Sequence, residues 1–200
     1  MEGFSGNNGG MVINMSAMNN IEWVNNETIK LNPGCKLAQI YDAILPKRRI
    51  IPGGSCAGVG IGGLVLGGGY GLTARKFGLT CDSLQAVTMV DGTGKIITAS
   101  GNDELLWACK GGNNGNFGIV AELTFKTHTA PATMQSHRFR AYKVDVVRAK
   151  AILQKWFELT PSLPADCFSA FVLNGRTLYI LLTNVGKQTA AVQNFISGLK

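Results

Sequence analysis

The feature that most constrains this chain is a glycine-rich stretch at residues 51–71. It reads IPGGSCAGVGIGGLVLGGGYG, and ten of its positions are glycine. Glycine lets the backbone adopt positive φ and lets a ligand lie directly on the main chain. Each glycine also loses more conformational entropy on folding than any other residue, so a run this rich is costly in an ordinary core. The stretch therefore predicts a site for a flat or phosphate-bearing ligand.

Composition and charge exclude several classes of protein. Hydrophobic residues make up 46% of the chain and charged residues 16%, which is typical of a globular protein with a real core. No apolar run is long enough to span a bilayer. The first residues do not have the pattern of a signal peptide, and the sequence does not indicate a cellular compartment. The net charge of +7 comes mostly from residues 131–200, which hold nine Lys/Arg and three Asp/Glu. Since no aromatic–basic motif or zinc spacing accompanies this excess, we expect a solvated basic surface and no nucleic-acid or membrane partner.

The cysteines predict no metal site and no complete disulfide framework. There are five of them, which is an odd number, and no Cys-x-x-Cys occurs. Most are expected to be small buried residues. Cys56 differs because it lies inside the glycine-rich stretch.

Hydrophobic periodicity and turn signals predict mixed helices and antiparallel strands. Asn25–Glu27 and Asp91–Gly94 read as hairpin turns, and a shift in composition near residues 129–132 suggests a domain boundary. We expect helices at 37–46, 59–66, 73–77, from an N-cap at Asn102 to 109, at 146–159 and from about 187. We expect strands at 11–15, 21–24, 28–31, 49–51, 84–90, 95–98, 117–126, 136–143, 168–173 and 178–184.

Two common phosphate-binding motifs account poorly for the glycine-rich stretch. A P-loop needs a Gly-Lys-Ser/Thr ending, which is absent. The spacing of Gly58, Gly60 and Gly63 matches the dinucleotide-binding pattern of a Rossmann fold, and Asp82 follows about twenty residues later. That fold requires a strand running directly into the first glycine, whereas Pro52–Gly54 breaks the strand well before Gly58. The hairpin turn at 91–94 also favours antiparallel pairing over repeated βαβ units.

Four segments carry a resemblance to a known family: GSCAGVGIGGL (54–64), GGGYG (67–71), RKFGLTCDSL (75–84) and LWACKGGNNGNFGIV (106–120). In this order they resemble the FAD-linked oxidases of the berberine bridge enzyme-like type, in the vanillyl-alcohol oxidase / p-cresol methylhydroxylase (PCMH) superfamily. The resemblance implies an α+β fold. Residues 1–130 would form the second subdomain of a PCMH-type FAD-binding domain, mostly antiparallel strands with flanking helices, and residues 131–200 the start of an α+β substrate domain.

The resemblance implies FAD as cofactor and assigns roles to particular residues. Cys56 matches the cysteine that many members attach covalently to the flavin ring, with an unmodified small residue beside the cofactor as the alternative. Positions expected to line the flavin and pyrophosphate, largely through backbone N–H groups before and within a short helix, are Ser55, Val59, Gly60, Gly63, Gly67 and Tyr70. Gly118, Ile119 and Val120 match main-chain contacts near the adenine, although Val120 fits a plain buried strand equally well.

The family's remaining site elements find no match in this chain. Its first signature, Arg-Ser-Gly-Gly-His, has only its continuation here, at residues 2–5, and the C-terminal segment with the catalytic tyrosine has no counterpart. His128 and His137 lie too late to replace the signature histidine and read as surface or strand residues. The resemblance implies an oxidoreductase that passes hydride from an alcohol or sugar-type C–H of a small molecule to flavin, with oxygen as acceptor and the base outside this chain. The alternative is a catalytically silent fragment that lacks a complete flavin site. The oligomeric state stays open.

Overall fold

A computed structural model describes residue 6 and residues 8–199. A five-stranded sheet forms the first layer, with the strand order β1-β2-β6-β4-β5 and antiparallel pairing throughout. Its strands are β1 Ile21–Trp23, β2 Thr28–Leu31, β4 Leu84–Val90, β5 Ile96–Ser100 and β6 Ile119–Lys126. A separate two-stranded antiparallel ladder pairs β3 Arg49–Ile50 with β7 His128–Thr129. The mixed α+β class predicted from the sequence is confirmed.

Side-chain oxygens in the turns set both predicted hairpins. Asn25 Oδ1 accepts the N–H groups of Glu27 and Thr28 at 2.8 and 2.9 Å, and this closes the turn between β1 and β2. Asp91 Oδ1 accepts the N–H groups of Thr93 and Lys95 at 2.8 and 3.0 Å between β4 and β5. Because the Lys95 N–H is held by this turn, the return strand begins at Ile96 and runs to Ser100, slightly later than predicted.

Three short helices, α1 Leu37–Ile44, α2 Ile61–Leu66 and α4 Glu104–Ala108, bury side chains in the core of this sheet, and a fourth, α3 Ala74–Phe77, follows the glycine-rich stretch. The apolar spacing of α1 directs Leu37, Ile40 and Ile44 inward, where they are fully buried. They join a hydrophobic cluster whose buried members run from Ile29 to Phe125. This core supports the glycine-rich stretch from beneath, since Ile51, Ile61 and Val65 belong to it.

A second hydrophobic cluster lies between residues 144 and 196. It is built on an antiparallel sheet of order β8-β10-β9, formed by β8 Gln135–Ala141, β9 Cys167–Asn174 and β10 Thr177–Asn184, with helices α5 Val146–Leu159 and α6 Ala190–Gly198. Leu178, Ile180 and Leu182 alternate along β10 and are buried against this cluster. The boundary near residue 130 stays a prediction, which the separation of the two clusters supports.

Helix α3 joins the two clusters. The Arg75 guanidinium donates to the backbone carbonyls of Cys167 and Leu163 at 3.0 and 3.1 Å. The neighbouring Lys76 Nζ lies 2.6 Å from an Asp166 carboxylate oxygen. These three contacts start from the helix that follows the glycine-rich stretch, so they fix the second sheet relative to that stretch.

Two predicted elements were wrong. Residues 11–15 form no strand, and Met11 and Val12 are 86% and 65% exposed, because this run pairs with no described strand that could satisfy its backbone. Asn102 is not the N-cap of α4; Asp103 is, and its carboxylate accepts the Ser100 N–H at 2.7 Å. Among the described residues, no helix combines the length and apolar character that crossing a membrane requires.

Candidate functional site

The glycine-rich stretch folds back on itself, so that its two ends lie together. The main chain of Gly71 packs on that of Gly53 and Gly54, and a Cβ at Gly71 would collide with the Gly53 carbonyl oxygen. The Thr80 hydroxyl donates to the Pro52 carbonyl at 2.6 Å from a fully buried position. The segment between these ends, with Cys56 and helix α2, is thereby closed into a loop.

The glycines of this loop fall into two classes according to what a Cβ would meet. At the first class a Cβ would press on the protein itself: on the Tyr41 hydroxyl or Thr80 Oγ1 at 2.5 Å, on Pro33 Cβ at 2.8 Å, or on backbone. This class comprises Gly53, Gly62, Gly69 and Gly71. At the second class a Cβ would meet open space or ordinary contact distances, so internal packing does not explain the glycine. This class contains Gly58, Gly60, Gly63 and Gly67.

Unused backbone donors lie just before helix α2. Within the described part of the chain, the N–H groups of residues 55–58 donate to no acceptor, and all four residues are exposed. The expectation of free donors within the helix was wrong for its first two residues. Ile61 and Gly62 donate to the carbonyls of Cys35 and Pro33 at 2.9 and 3.2 Å. The donors open to an anion are therefore those of the preceding turn, together with the Gly63 N–H, which has no acceptor among the described residues.

Cys56 is exposed at this turn, whereas the other four cysteines are buried. Burial raises the pKa of the thiols of Cys35, Cys81, Cys109 and Cys167, which holds them in the unreactive protonated form. Ser55 Oγ lies 3.9 Å from Cys56 Sγ. The structure thus presents one accessible thiol, flanked by free backbone donors.

The second glycine-rich loop, residues 111–116, packs against the far end of the first. A Cβ at Gly111 would lie 3.6 Å from Gly68 Cα, and one at Gly67 would lie 3.7 Å from the Asn114 side-chain nitrogen. The two motifs singled out from the sequence are therefore neighbours. Tyr70, at the same end of the first motif, is 72% exposed.

The adenine-end residues predicted from the sequence occupy different environments. Gly118 has φ of +146°, and a Cβ there would lie 2.5 Å from the Val90 carbonyl oxygen, so its glycine is required by the sheet. Ile119 is 38% exposed at the start of β6 and remains accessible, while the side chain of Val120 is buried in the first core opposite Met89. Any ligand contact of Val120 would have to come from its main chain.

A cleft of about 380 Å³ opens behind Ser55, between the loop and the segment that leads to the second sheet. Tyr41, Thr73 and Met134 line it together with Gly53 and Gly54. Burial raises the pKa of the Tyr41 hydroxyl, which keeps it protonated and able to donate. Sequence reasoning missed Tyr41 and Thr73, because only the fold brings them to the loop. Thr80 lies in the RKFGLTCDSL motif, but the sequence alone assigned it no role.

Both histidines are strand residues, as predicted. His128 lies in β7, where its Nε2 is 2.9 Å from Ser83 Oγ and its ring is 4.9 Å from that of Phe77. Burial, followed by the nearby charges of Lys126 and Arg49, lowers its pKa. His137 lies in β8. Neither residue belongs to the glycine-rich loop.

Comparison with known proteins identifies the family of this chain. A family model described as an FAD binding domain matches residues 1–100, which is half of the chain. The chain belongs to this family of FAD-linked oxidoreductases. Residues 2–5, which resemble the continuation of the family's first signature, lie outside the described residues.

The relatives include oligosaccharide oxidases and berberine bridge enzyme-like proteins. The chain is 39% identical over 132 residues to a chitooligosaccharide oxidase of Gibberella zeae, covering 64% of this chain and 27% of that protein. It is 35% identical over 164 residues to berberine bridge enzyme-like 24 of Arabidopsis thaliana, covering 80% of this chain and 29% of that protein.

A solved structure has the same fold. Phl p 4, a grass pollen allergen with glucose dehydrogenase activity, superposes with a TM-score of 0.83 at 28% identity, over 94% of this chain and 40% of that one. The chain therefore spans less than a third of these two curated relatives and about two fifths of this solved structure.

The residues of the loop fit FAD, the cofactor of the family. A run of free backbone N–H groups can donate hydrogen bonds to the oxygens of a pyrophosphate, and the open glycines leave room for a ligand directly on the main chain. The exposed thiol of Cys56 can approach a ring edge without steric hindrance. Which of these residues contact the cofactor remains a prediction.

Proposed function

We propose that this chain forms one wall of the flavin site in an FAD-dependent oxidoreductase that oxidises an alcohol or sugar-type C–H of a small carbohydrate. The observation that carries the proposal is the combination of free N–H groups at residues 55–58 with an exposed Cys56 and glycines that no internal contact requires. FAD, when bound, would supply the hydride acceptor, and oxygen is the proposed final electron acceptor.

The residues of the chain act by binding and orienting. The donors of residues 55–58 would hold negative charge, and Gly60, Gly63 and Gly67 would let the cofactor lie against the main chain. Val59 and Tyr70 would provide apolar and aromatic surface, and Gly118, Ile119 and Val120 would contribute main-chain contacts at the adenine end. Cys56 Sγ is the proposed point of covalent attachment: a C–S bond would replace the S–H bond of the thiol and a C–H bond of the flavin ring, with the flavin as acceptor of the two electrons. We assign no catalytic base to this chain.

The proposed substrate class and acceptor follow from the relatives. The chitooligosaccharide oxidase supports a small carbohydrate as substrate and oxygen as acceptor. The glucose dehydrogenase activity of Phl p 4 supports a sugar but not oxygen. The acceptor is therefore tested directly, by following sugar-dependent oxygen consumption beside reduction of an artificial dye.

The decisive experiment for this proposal is reconstitution with FAD. The purified chain is incubated with FAD, separated from free cofactor and examined for flavin absorbance, and oligosaccharides are then tested for bleaching of that absorbance without oxygen. A yellow protein that is bleached by sugar supports the proposal. If the protein takes up FAD but no oligosaccharide bleaches its flavin absorbance, this chain binds the cofactor without oxidising sugar, and the substrate class gains no support from it. A folded but colourless protein that takes up no FAD supports the alternative of a silent fragment.

A further inference from the structure

Thr80 holds the two ends of the candidate flavin loop together. Its hydroxyl donates to the Pro52 carbonyl at 2.6 Å and lies 3.3 Å from the Gly69 carbonyl. Its backbone N–H donates to the same Gly69 carbonyl at 2.8 Å. Pro52 and Gly69 bracket Cys56 and all the open glycines, so this one residue bonds to both ends of the loop.

The surroundings of Thr80 show that this clamp is built for a hydroxyl. Thr80 is fully buried, and a Cβ at Gly69 would lie 2.5 Å from its Oγ1, so Gly69 has to be a glycine with its φ of +76°. Within the described residues, the Pro52 carbonyl accepts no other hydrogen bond. Removing the hydroxyl would leave a buried acceptor without a partner, which is unfavourable.

The loop is also anchored at its other side, on helix α1. The Leu37 N–H donates to the Val59 carbonyl at 2.9 Å, and the Ala38 N–H donates to the Ala57 carbonyl at 3.0 Å. The Cys56 turn is thus suspended between the first turn of α1 and the clamp at Thr80. A change in the span of the loop is expected to reach this turn through helix α2.

We infer that Thr80 is a positioning residue that fixes the Cys56 turn, and that its hydroxyl sets the approach of the Cys56 sulfur to the flavin ring. The second half of this inference rests on the proposed function, whereas the first half concerns the chain alone. The two halves can therefore fail separately.

The chain-alone half is tested by amide hydrogen exchange on Thr80→Val, which removes the hydroxyl and keeps the shape. Thr183→Val is the matched control, because Thr183 is equally buried and its Oγ1 has no hydrogen-bond partner among the described residues. Exchange at Cys81 reports the clamp, since its N–H donates to the Gly68 carbonyl, and exchange at Leu37 reports the Cys56 turn. Thr80→Val should speed exchange at both amides by about tenfold, the size of effect expected when a buried acceptor loses its partner.

The controls make each outcome decisive. Thr80→Ser, which keeps the hydroxyl, should restore slow exchange, and Thr183→Val should leave both amides unchanged. Faster exchange at Cys81 with Leu37 unchanged would make the clamp purely local and overturn the inference. An equal effect of Thr183→Val at Leu37, or a Thr80→Val chain that does not fold, would make the effect one of general stability and overturn it as well.

The flavin half is tested by the yield of acid-stable flavin after reconstitution with FAD. Thr80→Val should lower the yield by about tenfold, in line with the loosening of the loop, and Thr80→Ser should restore it. An unchanged yield in Thr80→Val overturns this half. If the unaltered chain retains no flavin, the proposed function and this half fail together, while the exchange data still decide whether Thr80 fixes the Cys56 turn.

Discussion

Two adjacent glycines of helix α2 provide a matched pair of substitutions that separates packing from ligand binding. A Cβ at Gly63 meets no atom within 4 Å, whereas a Cβ at Gly62 would lie 2.8 Å from Pro33 Cβ and 3.1 Å from its carbonyl oxygen. Neither glycine has a positive φ, so alanine is compatible with both backbones. Gly63→Ala and Gly62→Ala therefore add the same methyl group to one helix, in directions about 100° apart.

The two substitutions should change the free energy of unfolding in opposite directions. Alanine in place of a helical glycine stabilises a fold by about 0.5–1 kcal/mol, so Gly63→Ala should raise the melting temperature of the cofactor-free chain by about 1–4 °C. Gly62→Ala gains the same propensity but incurs an overpacking cost of about 1–3 kcal/mol against a proline that cannot move aside. It should be less stable than Gly63→Ala in every case.

Thermal unfolding of the two cofactor-free variants is followed by circular dichroism, and FAD binding by titration. If Gly63 faces the cofactor, the stabilised Gly63→Ala variant should bind FAD at least about tenfold more weakly, a loss of about 1.4 kcal/mol. A Gly63→Ala chain that binds FAD as tightly as the unaltered chain would show that this glycine does not face the ligand. A Gly62→Ala chain as stable as Gly63→Ala would refute the close packing on Pro33.

Two further predictions concern the junction between the sheets. The pKa of His128 is lowered from 6.5 by burial and by Lys126 and Arg49, so the unfolded chain binds the proton more readily. Stability should therefore fall as the pH drops below about 6.5, and urea unfolding at several pH values should show a smaller fall in His128→Gln; equal slopes would contradict this account. Arg75→Gln should lower the free energy of unfolding by about 1 kcal/mol, a small loss for charged hydrogen bonds because the side chain is partly exposed. Arg176→Gln is the control: it loses one 3.4 Å hydrogen bond and should be nearly neutral in the same urea unfolding assay. A loss in Arg75→Gln no larger than in Arg176→Gln would rule out a stabilising role for the bonds that Arg75 donates to Cys167 and Leu163.

The sequence predicted those elements whose causes are local. The hairpins at Asn25 and Asp91 depend on side chains that bond to their own turns, and helix α1 depends on apolar spacing. Helix α5 was predicted with the bounds that the structure shows. Elements that depend on a distant partner were less predictable. The run at 11–15 is apolar enough for a strand, but it has no paired neighbour in the described part of the chain.

The candidate site, like the fold, was predicted from the sequence only where the cause is local. The two motifs and Cys56 were visible in the sequence, because their residue types are unusual. The division of the glycines was not visible, since it depends on Pro33, Tyr41 and Thr80, which approach the loop only in the folded chain. The occupied donors at the start of α2 were missed for the same reason, because their acceptors belong to residues 33 and 35.

The central claim is that the exposed turn at Cys56 is the flavin attachment point. Its most direct test is mass spectrometry of the Cys56 peptide after reconstitution with FAD and acid precipitation, with Cys56→Ala as the control for flavin retention. The account predicts that the Cys56 peptide of the unaltered chain is heavier by one flavin, and that Cys56→Ala loses its colour on precipitation. An unmodified Cys56 peptide from a yellow protein, or a Cys56→Ala chain that stays equally yellow, would contradict it.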